Sequence, residues 1–186
     1  MKKRLANTYL ILAIIFATSF SVHAQSHKMA FSLTGGYVQN GFAGMVTVDY
    51  KKNEFDYFQF SLQGSFSDLE NGDIDIPVSL YSLNAGYFYD LLRNNNRKYA
   101  IALGGGATVG YEVINEGDDV LENGDVLSEN VEPSTAVFGV YFGLDADIFL
   151  KPTVAINFKA NETYHFNSEV GDFTPYLGLG VKLILY

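Results

Sequence analysis

Beyond residue 25 the chain alternates bulky apolar residues with small or polar ones, and polar clusters interrupt the alternation. A two-residue period marks a strand, because successive side chains point to opposite faces of a sheet. Eight segments show it: Met29–Tyr37, Gly44–Tyr50, Phe55–Phe66, Ile76–Leu91, Tyr99–Ile114, Thr135–Leu150, Thr153–Phe166 and Phe173–Leu185. In the fifth, Tyr99, Ile101, Leu103, Ala107, Val109, Tyr111 and Val113 share one face; Ala100, Ala102, Gly104, Gly106, Thr108, Gly110 and Glu112 share the other. The third sets Phe58, Phe60, Leu62 and Phe66 against Gln59, Ser61, Gln63 and Ser65. The seventh sets Ile156, Phe158 and Tyr164 against Asn157, Lys159 and His165.

Such a chain folds as an all-β, eight-stranded antiparallel up-and-down barrel. The lumen of eight strands is only wide enough for ordinary side chains, so it cannot hold several large residues from every strand. The glycines and polar residues therefore point in, and the aromatic and branched residues point out to lipid. Several segments also exceed the roughly 9–11 residues that a tilted strand needs to cross a bilayer. The barrel must close, because an open sheet edge in hydrocarbon leaves backbone groups unpaired.

The first residues read as a processing signal. Lys2, Lys3 and Arg4 precede an apolar run from Tyr9 to Ala17, and Val22-His23-Ala24 forms a small-residue site with cleavage before Gln25. The run is shorter than the about 20 apolar residues of a membrane-spanning helix. Two segments result, a signal peptide at 1–24 and the barrel at 25–186. Export places the protein in the outer membrane of a Gram-negative bacterium. The chain has no Cys, which excludes disulfides, thiolate metal sites and a lipoprotein anchor. Loss of three basic residues with the signal moves the formal charge from −9 to −12, against any nucleic-acid contact.

Connections after odd-numbered segments are on average longer than those after even-numbered ones, the pattern of outer loops against periplasmic turns, which puts both termini in the periplasm. Charge follows the same division. Thirteen carboxylates lie in the second, third and fourth odd connections without a single Lys or Arg, whereas Lys51, Lys52, Arg93, Arg97, Lys98 and Lys151 cluster in the even ones. Glu116, Asp118, Asp119, Glu122, Asp125, Glu129 and Glu132 make the longest outer loop a candidate interaction surface. Within it, Asn123-Gly124 between apolar pairs predicts a protruding β-hairpin from Val120 to Leu127.

From Ile76 onward the chain resembles the TraO-type conjugal transfer proteins of Bacteroides and relatives. The resemblance lies in Ile76-Pro77, Tyr81, Ala85-Gly86-Tyr87, Gly110-Tyr111-Glu112-Val113-Ile114-Asn115, the Leu121–Leu127 hairpin and Pro175-Tyr176-Leu177-Gly178-Leu179-Gly180-Val181. It implies a component of DNA conjugation between cells, with outer-membrane lipid and other transfer proteins or a recipient cell surface as partners. The family ends on an aromatic in phase with the lipid face. Here Leu177, Leu179, Val181, Leu183 and Leu185 hold that phase and Tyr186 falls one past it. The alternative function is a generic small barrel for adhesion or envelope integrity, and a lipid-modifying enzyme ranks below both.

Candidate chemistry is sparse. His165 with Ser168 and Glu169 is a conceivable Ser/His/acid set, but closeness along the chain is weak support for a catalytic geometry, and no enzyme is expected. Asp68 to Asp75 is rich in oxygens but lacks the spacing of a twelve-residue calcium loop. No metal and no cofactor is expected. Inward phase places Glu112, Asp145, Asp147, Lys159 and Lys182 in the lumen, where unpaired charge is costly. A network across the strands is the expectation, with Lys159 reaching Asp147. Phe88, Tyr141, Phe149 and Tyr176 share that phase and should plug the lumen.

Overall fold

In a computed structural model, residues 29–71, 74–93, 98–121, 127 and 131–185 are described. The expected signal peptide and its expected cleavage before Gln25, the hairpin tip at 122–126 and Tyr186 lie outside them. Eight strands follow in chain order: β1 (Met29–Val38), β2 (Gly41–Lys51), β3 (Asp56–Asn71), β4 (Ile74–Arg93), β5 (Tyr99–Ile114), β6 (Ser134–Lys151), β7 (Val154–His165) and β8 (Phe173–Leu185). Each pairs antiparallel with its sequence neighbours, and β8 returns to β1 through Leu33 opposite Val181, so the barrel is closed in up-and-down order.

Register fixes its shape. Partners run from Met29 through Tyr50, Phe58, Tyr87, Gly105, Phe142 and Glu162 to Pro175, ten residues from Leu185, the β8 partner of Met29. That stagger over eight strands corresponds to the roughly 35–45° tilt typical of such barrels, with a lumen that side chains can fill.

Burial follows the two-residue period, inverted relative to a soluble protein. Leu83 is 60% exposed, Phe142 60% and Leu179 61%, whereas Lys159 and Asn157 are 0% exposed. Soluble monomers rarely expose apolar patches beyond roughly 300–600 Å²; here the apolar face runs around all eight strands, as lipid requires. Glu162 interrupts this face two residues from Tyr164, and carboxylates are tolerated on it better than cations are. Exposed aromatics pair across strands near the ends of the band, among them Phe42 with Phe66 and Phe58 with Tyr87.

Two expectations change. The first two odd connections are not long loops: β1 and β2 are joined by Gln39-Asn40 alone, and β3 and β4 pair as far as Asn71 opposite Ile74. Polar residues such as Asp68 read as loop in the sequence, yet a hairpin can continue past the lipid, where its outer face meets water. Connection length therefore no longer alternates; only β5–β6 and β7–β8 are joined by long loops. In the β5–β6 loop, Leu121 does not protrude. It is buried on Ile76, Val78 and Ile114, with Leu127, Val131 and Val170 packed against the group.

Candidate functional site: a sealed lumen and a loop-covered mouth

Three layers fill the barrel. Near the end that carries the even-numbered turns, Asp145 on β6 accepts two hydrogen bonds from Lys159 Nζ on β7, at 2.7 and 2.8 Å. Lys182 on β8 lies 2.8 Å from Asp147, 3.1 Å from Asp49 and 3.4 Å from Asp145. Gln59 donates to Asp145 at 3.0 Å and to Asp49 at 3.1 Å, Tyr57 donates to Asp145 at 3.3 Å, and Asn157 donates to Asp147 at 2.7 Å. Nearer the turns, Asp90 sits beside Lys51 at 3.7 Å and is hydrogen-bonded by Arg93. Four carboxylates thus face four cations, and the groups that surround them satisfy much of their remaining hydrogen-bonding capacity.

The cluster differs from the sequence expectation in three ways. Lys159 reaches Asp145 rather than Asp147, because those two residues are direct partners across β6 and β7 while Asp147 faces Asn157. Glu112 does not join it. Asp145 pairs with Ala102, and Glu112 lies ten residues further along β5, about 33 Å away at the rise of a strand. Asp49, Gln59 and Tyr57 belong to the cluster but were not anticipated. The alternation of Ala43, Met45, Thr47 and Asp49 against Phe42, Val46, Val48 and Tyr50 would have placed Asp49 inside.

An aromatic layer comes next. Tyr57 stacks on Phe88 with ring centroids 5.5 Å apart, and Phe88 meets Tyr141 at 6.3 Å. Gly143 leaves room for the Phe88 ring, whose Cζ would stand 3.2 Å from a Cβ at that position. Tyr176 packs with Val38, Ala43 and Met45 and shares a 2.7 Å hydrogen bond with Thr34. Phe149, by contrast, is only half-buried, at the register shift that ends the β6–β7 ladder. With rings and ion pairs spanning the lumen, reconstituted protein should give no stable large conductance in planar bilayers. A steady porin-like open state would contradict this packing.

At the opposite mouth, away from the even-numbered turns, the β7–β8 loop folds over the barrel. Asn167 fastens it to β6, accepting from Phe138 N–H at 3.0 Å and donating to the Ala136 carbonyl at 2.7 Å. Ser168 Oγ then donates to Glu112 Oε2 at 2.7 Å, and Glu169 N–H donates to Oε1 at 3.1 Å. His165 is buried at the end of β7, and no hydrogen bond joins it to Ser168 among the described residues. The conceivable Ser/His/acid set is therefore not assembled, since the serine serves Glu112 instead. Of the loop carboxylates, Glu116, Asp118, Asp119 and Glu132 are exposed; Glu122, Asp125 and Glu129 lie outside the described residues. Among the described residues no cluster of three or more His, Asp or Glu could hold a metal ion.

Solved structures of similar fold are small barrels. Neisserial surface protein A superposes with a TM-score of 0.60 at 13% identity, over 84% of this chain and 96% of that one. A major outer membrane protein from Thermus thermophilus gives 0.60 at 14% identity, over 88% and 100%. OprG, an outer membrane protein of Pseudomonas aeruginosa, gives 0.53 at 12% identity, over 87% and 99%. At such identities the likeness is one of fold. Among curated proteins the chain has no match. The family described as "Conjugative transposon protein TraO" matches residues 11–185, nearly the whole sequence and well beyond the segment from Ile76 that carried the resemblance. The chain belongs to the TraO family of conjugative transposon proteins.

Proposed function

We propose that this protein is an outer-membrane component of conjugative DNA transfer between cells, acting as a sealed barrel whose outer mouth contacts other transfer proteins or the recipient surface. The observation that carries the reading is the family match along residues 11–185. The packed lumen supports an interaction role over a conduit, because DNA cannot pass a core of side chains. The acidic composition supports contact with proteins rather than with nucleic acid. In this reading the carboxylate-rich loops face outward, both termini lie in the periplasm, and the mature chain begins at Gln25. No catalytic step is assigned to it.

The test is an in-frame deletion in a donor strain, complemented either by the full chain or by a chain in which residues 116–133 are replaced by a short turn. Transfer frequency should fall by an order of magnitude or more without the protein and recover with the full chain. The shortened chain should still form the barrel, because loops outside the ladders tolerate change, yet should restore transfer poorly. Normal transfer in the deletion strain would overturn the assignment. Normal transfer with the shortened chain would move the contact surface away from this loop.

A further inference from the structure

The outer mouth holds a cavity of about 170 Å³ between the β1–β2 turn, the outer arms of β3 and β4, and the β7–β8 loop. Leu69, Leu80 and Val170 give it apolar walls, and Ser67 and Asp68 stand among its polar lining. Glu112 also lines it and is 3% exposed. The two groups that hold Glu112 are neutral, Ser168 Oγ and Glu169 N–H. Ser168 Oγ accepts from the N–H groups of Val170 and Gly171, so its single proton goes to Glu112, the arrangement suited to a carboxylate.

Among the described residues no cation balances that carboxylate. The ion pairs there involve Lys51, Arg93, Lys159 and Lys182, all grouped with Asp49, Asp90, Asp145 and Asp147 at the far end. Lys52, Lys98 and Lys151 flank strand ends on that same far side, and Lys28 and Arg97 shortly precede strands that begin there. The outer loops contribute further carboxylates and no Lys or Arg. A buried carboxylate without a counter-charge is costly, and this one borders an open cavity with apolar walls.

We propose that this cavity receives a Lys or Arg side chain of a partner protein, the cation resting against Glu112 and the aliphatic stem against Leu69, Leu80 and Val170. Long basic side chains suit such a site because their methylene stems cover apolar surface while the head stays polar. The proposal concerns the chemistry of the mouth alone and stands whether or not the partner serves DNA transfer.

The test uses the purified barrel in lipid nanodiscs and a tripeptide, Gly-Lys-Gly, blocked at both termini, with Gly-Gln-Gly as its neutral counterpart. Binding is read by calorimetry at physiological salt. The lysine peptide should bind and the glutamine peptide should not. Glu112→Gln should weaken binding tenfold or more, the equivalent of about 1.4 kcal/mol. Ser67→Trp, which fills the cavity from its rim, should do the same. Asp172→Asn removes a nearby exposed carboxylate and should change affinity less than twofold. Equal losses in Asp172→Asn and Glu112→Gln would reduce the effect to diffuse attraction by acidic loops and overturn the site. Unchanged binding in Glu112→Gln, or binding of spermidine without binding of the peptide, would overturn it too. Should Glu112→Gln fail to fold, Ser67→Trp decides the matter by the same criterion.

Discussion

Replacing Lys159 by Met should destabilise the barrel by about 3–5 kcal/mol, the usual loss when one partner of a buried ion pair is removed. Lys159 is fully buried and bonded to both oxygens of Asp145. Its loss leaves Asp49, Asp145 and Asp147 to share Lys182 alone. Asp145→Leu strands Lys159 in turn, because no other carboxylate lies within ion-pair distance of it among the described residues. The double replacement removes one charge of each sign and keeps the balance of the cluster. It should therefore lose less than the two single changes together, by roughly 2–3 kcal/mol of coupling. Urea unfolding in lipid vesicles measures all three variants. Losses that simply add would mean that the two groups do not act together.

Leu179→Arg should cost about 2–4 kcal/mol, the penalty of a cation on the lipid face near the bilayer midplane. Leu179 sits at the middle of β8, 61% exposed, between Phe158 of β7 and Gly35 of β1. An exposed leucine on a water-facing surface would tolerate arginine with a change within about 0.5 kcal/mol. The same unfolding assay reads the difference, and a loss below about 0.5 kcal/mol would place this face in water.

The fold was legible because a barrel needs little beyond phase. Each strand declares its two faces by alternation, and the size of an eight-stranded lumen decides which face is inside. β5 and β8 begin and end where the alternation does, at Tyr99–Ile114 and Phe173–Leu185. Strand length beyond the lipid was not legible: Ser67 to Asn71 and Ile74 to Asp75 are polar enough to read as loop, and only their pairing makes them arms of a hairpin.

For the candidate site, phase put the right side chains inside but left their heights unknown. Stagger sets height, and nothing in the alternation of one strand gives its offset from the next. Glu112 and Asp145 therefore looked like members of one network, although the register parts them by ten residues of β5. The mouth cavity depends on the β7–β8 loop folding inward through Asn167 and Ser168, a tertiary event with no periodic signature.

The central claim is that the bulky face of these strands meets lipid. It can be read position by position, because the chain has no cysteine of its own and accepts single nitroxide labels cleanly. Labels placed one at a time from Tyr81 to Tyr87, on protein in lipid vesicles, would be scored for collision with oxygen and with a water-soluble nickel chelate. At Tyr81, Leu83, Ala85 and Tyr87 oxygen collisions should be frequent and nickel collisions rare, while Ser82, Asn84 and Gly86 should be shielded from both. Frequent nickel collisions at Leu83 and Ala85 would contradict the account, for they would mean that this face is bathed in water.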